Sequence, residues 1–84
     1  MENKTIESLE SLRVDLNDYL SKQFEIENEI NPNDTVINAL QLDSLDLLDL
    51  IVSVEERYGV KISSEEIKNI QTMNDLYSFI YNNQ

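Results

Sequence analysis

The chain contains no cysteine and no histidine. These are the side chains that enzymes most often use as nucleophile or general base near neutral pH, and the sequence shows no other pair or triad of catalytic groups. The absence of cysteine also excludes a disulfide framework. We therefore expect a protein that is not an enzyme, and any reactive group that it uses is expected to come from outside.

Glycine and proline are also scarce, with one residue of each among 84. No alternating strand pattern bounded by glycine-containing turns is present, so an all-α domain is predicted over residues 1–84, with residues 1–4 frayed. The chain has no apolar run long enough to span a bilayer, and its N-terminus lacks the apolar segment of a signal peptide. We expect a cytoplasmic monomer that does not insert into membranes.

Basic residues are few, since 6 Lys+Arg stand against 17 Asp+Glu and the formal net charge is −11. Such a charge repels nucleic acid and anionic membrane surfaces, and it favours encounter with proteins that carry basic patches. The expected partner is therefore a basic protein surface rather than a nucleic acid.

Periodic leucines predict a first long helix from about Thr5 to Phe24. Its core stripe consists of Leu9, Leu12, Leu16 and Leu20. A long polar loop follows, in which Asp34 or Thr35 caps a short turn that carries aliphatic residues.

The second long helix is predicted over Ser44–Tyr58. Asp43 is its expected N-cap, and Asp46 provides a carboxylate version of the capping box. Gly59 ends the helix, because glycine takes a positive φ there at no steric cost.

Two further capping patterns follow. Ser63 with Glu66 predicts a short helix, and Thr72 with Asp75 predicts the last long helix. The predicted fold is a small four-helix bundle with three main helices, one short helix and a long loop between the first two.

The second long helix has two apolar stripes when its residues are projected at about 100° each. The core stripe comprises Leu47, Leu50, Ile51, Val54 and Tyr58. A separate outer stripe comprises Leu45, Leu48 and Val52, bordered by the acids Asp49, Glu55 and Glu56. The outer stripe either packs against a neighbouring element or offers an apolar contact patch with an acidic rim to a basic partner.

Ser44 is the candidate modification site. A serine in the first turn after an aspartate cap is common for capping reasons alone, so the motif by itself is weak. A helix N-terminus nevertheless exposes the hydroxyl and favours an attached phosphate. The neighbouring Asp43 is either an ordinary N-cap or a residue that helps to bind the metal ion accompanying a phosphate-bearing donor.

Four segments together resemble the acyl carrier protein family over almost the whole chain. Residues 43–46 read Asp-Ser-Leu-Asp, and residues 54–62 read Val-Glu-Glu-Arg-Tyr-Gly-Val-Lys-Ile. Residues 64–66 read Ser-Glu-Glu, and residues 70–76 read Ile-Gln-Thr-Met-Asn-Asp-Leu. The resemblance implies that a phosphopantetheinyl transferase esterifies Ser44 with phosphopantetheine from coenzyme A, using Mg²⁺. It also implies that the thiol of this arm carries acyl groups as thioesters in fatty-acid, polyketide or related lipid biosynthesis.

The same resemblance implies the docking and acyl-binding residues. Partners such as the transferase, acyl ligases, acyltransferases and ketosynthases, each with a basic patch, are expected to meet the residues Asp43, Leu45, Asp46, Leu48, Asp49, Val52, Glu55 and Glu56. Acyl chains are expected against the core residues Leu50, Val54, Ile62 and Leu76.

The chain departs from the family pattern just before the serine. Gln41 stands where most members have glycine, and Ala39 stands where most have an acidic residue. Gln41 must therefore avoid a positive φ or accept strain. Both changes are compatible with a specialised carrier for polyketide, lipid-modification or peptide-type pathways.

Alternative functions give different surface patterns. One alternative is a non-catalytic acidic interaction module without a prosthetic group, such as a mimic of nucleic-acid charge. Its acids would be spread evenly over the surface. In this chain, by contrast, the second long helix has an apolar stripe beside its acids. A carrier of aminoacyl groups is a second alternative. A calcium-binding loop is not supported, because the region of Asp43 lacks the central glycine and alternating acidic ligands, and no resident metal is expected.

Overall fold

The computed structural model describes residues 7–27 and 29–84. The helices are, in order, α1 (Leu9–Gln23), α2 (Val36–Leu40), α3 (Ser44–Tyr58), α4 (Ser64–Asn69) and α5 (Met73–Asn83). Apart from an isolated bridge between Thr35 and Thr72, the regular secondary structure of these described ranges is helical. The predicted all-α class is confirmed.

The start of α1 differs from the prediction. The described helix begins at Leu9, because Ser8 has an extended backbone and its side chain accepts a hydrogen bond from the Ser11 N–H at 3.1 Å. Leu9 is 44% exposed at this helix end, so it is not the core residue that the leucine stripe predicts. The predicted helix is therefore wrong at Glu7 and Ser8, which are not helical, whereas Thr5 itself and the predicted fraying of residues 1–4 lie outside the described residues.

The short turn predicted in the long loop is a helix of its own, α2. Thr35 is its N-cap, with its side chain accepting from the Asn38 N–H at 3.2 Å. The described part of the chain therefore contains three main helices and two short ones, where four helices in all were predicted. The predicted capping boxes that begin α4 and α5 are confirmed.

The core lies between the three main helices. Fully buried side chains from α1, α3 and α5 include Leu12, Leu16, Leu20, Leu50, Val54, Met73, Leu76 and Ile80. None of the residues described is both buried and of polar or charged type. The short helix α4 contributes no buried residue, and only its partly buried Ile67 and the following Ile70 pack against this core.

Backbone hydrogen bonds attach the segment before α2 to the segment before α5. The Val36 N–H donates to the Gln71 carbonyl at 2.9 Å, and the Met73 N–H donates to the Asp34 carbonyl at 3.1 Å. Because these bonds join residues far apart in the sequence, they set the position of α2 relative to α4 and α5.

A polar cluster joins α1 to the C-terminal end of α3. The Arg57 guanidinium donates to both carboxylate oxygens of Asp15, at 3.3 and 3.1 Å, and stacks 4.4 Å from the centre of the Tyr19 ring. The Tyr58 hydroxyl donates to the same carboxylate at 2.7 Å. Burial, reinforced by this hydrogen bond, raises the pKa of Tyr58 above its ordinary value.

The cluster predicts a loss of stability at high pH. The folded chain keeps Tyr58 protonated at pH values where the unfolded chain ionises it, so the free energy of unfolding should fall as pH rises above ~10. The fall due to Tyr58 should approach roughly 1.4 kcal/mol per pH unit. Urea denaturation between about pH 8 and 11 measures it, and Tyr58→Phe should fall less steeply.

The control for this experiment is Tyr81→Phe, which removes a hydroxyl that donates to the Glu7 carbonyl at the surface. An alkaline slope that is the same in Tyr58→Phe as in the unaltered chain would contradict the prediction.

Candidate functional site

The site is built on the N-terminus of α3. Asp43 has an extended backbone, and its Oδ1 accepts a hydrogen bond from the Asp46 N–H at 2.9 Å. The Asp46 carboxylate accepts in return from the Asp43 N–H, in a longer contact of 3.5 Å. The predicted capping box is therefore confirmed, and it makes Ser44 the first residue of the helix.

Ser44 is exposed at this helix end. The N–H groups of Asp46 and Leu47 are bonded to the side chain and the carbonyl of Asp43. Helix geometry leaves those of Ser44 and Leu45 without partners inside the helix, and the helix dipole adds partial positive charge there. An exposed hydroxyl beside unpaired N–H groups fits a phosphodiester-linked group.

The turn before Ser44 contains a strained residue. Gln41, the C-cap of α2, has φ 55° and ψ 48°, which is the left-handed region that favours glycine. The turn is closed by the Leu42 N–H, which donates to the Ile37 carbonyl at 2.9 Å. Of the two outcomes expected for Gln41, the structure shows the strained one.

The outer stripe of α3 is open to solvent. Leu45 is 74% exposed, Leu48 is 58% exposed and Val52 is 51% exposed. Exposure of this degree is incompatible with the interpretation that a neighbouring element of the described chain covers the stripe. These three exposed apolar residues lie on one side of the helix and form an exposed apolar patch, which we call the outer stripe of α3 below.

The acids around this stripe differ in what they contact. Glu55 Oε2 accepts a hydrogen bond from the Ile62 N–H at 2.8 Å, and Asp43 and Asp46 cap α3. Asp49 and Glu56 are exposed, and the carboxylate of each is without a hydrogen bond or ion pair within the described ranges. Three of the five predicted docking acids therefore also hold the backbone, and two are free to pair with a partner.

An apolar cavity of about 480 Å³ opens between α2, α3 and the segment from α4 to α5. Its lining consists of Val36, Ile37, Leu47, Ile67 and Ile70, with polar groups of Thr35, Asn38, Lys68 and Gln71. Leu47 lies three residues after Ser44 and therefore on nearly the same side of α3. The predicted attachment residue Ser44 is therefore one helical turn from Leu47, which lines the cavity.

The residues predicted to contact an acyl chain lie elsewhere in the fold. Leu50, Val54 and Leu76 are completely buried, and Ile62 is 7% exposed. None of the four lines the cavity beside Leu47. Leu47 was predicted in the core stripe and is partly buried against the core, but it also lines the cavity. The helical pattern of α3 does not predict this cavity, because its other lining residues come from residues 35–38 and 67–71.

Residues 7–27 and 29–84 contain neither a metal-binding cluster nor a membrane-spanning helix. No group of three Asp or Glu side chains in these ranges is arranged to hold a metal ion. Nor does any described helix combine the length and the apolar content that crossing a bilayer requires.

Comparisons with known proteins identify the family of the chain. The family model described as "Phosphopantetheine attachment site" matches residues 14–80. An acyl carrier protein of Solidesulfovibrio magneticus is 46% identical over 52 residues, covering 62% of this chain and 67% of the relative. One of Coprothermobacter proteolyticus is 42% identical over 57 residues, covering 68% and 70%. One of Myxococcus xanthus is 36% identical over 52 residues, covering 62% and 66%.

A small helical bundle with an exposed serine at a helix N-terminus, matched by the phosphopantetheine attachment model, defines a carrier domain. The chain belongs to the acyl carrier protein family. Its role is that of a carrier, and its prosthetic group is phosphopantetheine.

The strain at Gln41 predicts that Gln41→Gly stabilises the chain. Glycine removes the steric cost of the left-handed conformation, so the free energy of unfolding should rise by about 1 kcal/mol. Urea denaturation measures the change. The matched control is Gln71→Gly at an exposed position of negative φ, where the same substitution should lower stability or leave it unchanged. A loss of stability in Gln41→Gly would contradict the prediction.

Proposed function

We propose that Ser44 carries the phosphopantetheine arm and that the chain holds acyl intermediates in fatty-acid, polyketide or related lipid biosynthesis. The observation that supports this most directly is the exposed Ser44 at the first position of a 15-residue helix, next to N–H groups that the capping box leaves unpaired. Both α1 and α3 have an acid in the first turn, Glu10 and Asp46 respectively. Of these two helices, α3 is the one in which a serine directly follows an aspartate N-cap.

The attachment reaction uses Ser44 as the nucleophile. Its Oγ forms a bond to the phosphorus next to the pantetheine of coenzyme A, the pyrophosphate P–O bond breaks, and adenosine 3′,5′-bisphosphate leaves. The hydroxyl proton passes to a base of the transferase. The bound group supplies a terminal thiol for thioester formation. The unpaired amides of Ser44 and Leu45 stabilise the phosphodiester charge at the helix end.

The outer stripe of α3 is the proposed docking surface. Leu45, Leu48 and Val52 provide apolar contact, while Asp49 and Glu56 provide unpaired negative charge at its edge. A transferase, ligase, acyltransferase or ketosynthase with a basic patch complements this surface, because opposite charges accelerate encounter and apolar contact slows dissociation. Asp43, Asp46 and Glu55 belong to the same surface but also hold the fold.

The apolar cavity beside Leu47 is the proposed binding site of the acyl chain. It opens on nearly the same side of α3 as Ser44, and five of its nine lining residues are apolar. Contact with Leu50, Val54, Ile62 and Leu76 stays a prediction. A chain that enters beside Leu47 would reach these four only by displacing the closely packed core.

Loading of the arm tests the role of Ser44. Incubation with coenzyme A, Mg²⁺ and a broad-specificity phosphopantetheinyl transferase should add one arm, and Ser44→Ala should abolish the addition because no Oγ remains to attack. Intact mass spectrometry measures both results.

The matched control for loading is Ser64→Ala. Ser64 is also an exposed first residue of a helix that begins with a capping box, but it belongs to the short α4. This variant should load as the unaltered chain does. An arm that still attaches to Ser44→Ala, or no attachment to the unaltered chain with several transferases, would overturn the proposal.

Charge reversal tests the docking surface. Asp49→Lys combined with Glu56→Lys should weaken transferase binding about tenfold at low salt, since it replaces attraction by repulsion without removing a backbone contact. Titration calorimetry measures the dissociation constant. Reversal of Asp46 or Glu55 is less informative, because each also accepts a hydrogen bond from the backbone.

The charge-matched control is the double variant Glu10→Lys and Asp18→Lys on α1. In the unaltered chain, each of these acids forms an ion pair within this helix. It changes the net charge equally but leaves α3 untouched. Equal weakening in the two double variants would indicate a general charge effect and contradict a docking surface on α3.

A further inference from the structure

The cavity beside Leu47 combines an apolar interior with a polar rim. Four of its apolar lining residues are buried or partly buried, namely Val36, Leu47, Ile67 and Ile70. Its polar lining residues are all exposed, and they are Thr35, Asn38, Lys68 and Gln71. A ligand that fits this cavity therefore has an apolar body and a polar group that reaches the rim.

Three side chains at the rim have unused hydrogen-bonding groups. The Lys68 ammonium and the side-chain amides of Asn38 and Gln71 make no hydrogen bond or ion pair within the described ranges. The bonds that Asn38 and Gln71 do make outside helices use their backbone groups. All three side chains carry N–H donors, so they can donate to the oxygen atoms of a ligand.

The charge at this rim is opposite to the charge of the chain. Among the described residues that line the cavity, Lys68 carries a positive charge and none is an acid, although the formal net charge of the chain is −11. Most of such a surface repels an anionic group. An anion at the rim is attracted by Lys68, and it keeps part of its hydration because Lys68 is exposed.

The cation and the attachment residue belong to different walls of the cavity. Leu47 lies on α3, one turn from Ser44, whereas Lys68 lies on α4. An acyl chain that enters beside Leu47 passes the apolar lining before its far end reaches Lys68. The group that meets the cation is therefore at the end of the acyl chain remote from the thioester.

We propose that this cavity selects acyl groups whose far end carries a carboxylate, that is, half-thioesters of dicarboxylic acids. Lys68 pairs with the carboxylate, and the side-chain amides of Asn38 and Gln71 donate to its oxygen atoms. The methylene groups of the acyl chain contact the apolar lining. This proposal rests on the acyl-binding role proposed above, and it makes Lys68 the residue that determines specificity.

Titration of the unloaded chain with free thioesters tests the selection. The two probes are the N-acetylcysteamine thioesters of octanedioic acid, which has a free carboxylate, and of octanoic acid, which ends in a methyl group. Both should shift the NMR methyl signals of Ile67 and Ile70, because both place methylenes in the cavity. Lys68→Gln should weaken binding of the carboxylated probe about fivefold, and binding of the octanoyl probe should stay within about twofold.

The matched control is Lys61→Gln. Lys61 is also exposed, but it lies between α3 and α4 and does not line the cavity. This variant loses the same charge and should bind both probes as the unaltered chain does.

Four results would overturn the selection. The first is equal weakening of the carboxylated probe in Lys61→Gln and Lys68→Gln, which would indicate a general effect of charge. The second is unchanged binding of this probe in Lys68→Gln, and the third is an equal loss of both probes in that variant. The fourth is the absence of shifts at Ile67 and Ile70 with both probes.

Loading of the arm separates this proposal from the carrier function, because the free probes do not require Ser44. Normal loading, seen by intact mass, together with unchanged binding of the carboxylated probe in Lys68→Gln rejects the selection and keeps the carrier site. Absence of loading together with binding that depends on Lys68 rejects attachment at Ser44 and keeps the preference of the cavity.

Discussion

The reciprocal capping of Asp43 and Asp46 is the interaction on which the candidate site depends. It makes Ser44 the first residue of α3. It also pairs the carboxylates of Asp43 and Asp46 with each other's backbone N–H groups at this helix end. The position of Ser44 at the exposed helix end and the unpaired amides of Ser44 and Leu45 follow from this start.

The acids of α3 combine two uses of negative charge. Asp43, Asp46 and Glu55 satisfy backbone N–H groups, whereas Asp49 and Glu56 have their carboxylates in solvent. A carrier that meets basic partners needs charge on its surface, and a small domain also needs its helix ends and links held. Three acids of the proposed docking surface, Asp43, Asp46 and Glu55, therefore also stabilise the fold.

Strain precedes the site at Gln41. The residue holds a left-handed conformation between two helices that are both held by other contacts, α2 by its backbone bond to Gln71 and α3 by its capping box. The turn is therefore dictated by its surroundings rather than by its own preference. The glutamine has a larger polar side chain than glycine three residues before Ser44, at a modest cost in stability.

The amino-acid sequence by itself determined the features that depend on neighbours in the chain. The bounds of α3 were predictable because Asp43 and Gly59 act within one turn, and the two stripes of α3 were predictable from helical periodicity. The tertiary structure alone decided that the outer stripe is uncovered, that Leu9 lies at the surface, and that Glu55 meets Ile62. The tertiary structure also determined where the apolar cavity beside Leu47 forms, because its walls come from separate helices. These features depend on how distant segments pack, which no local pattern specifies.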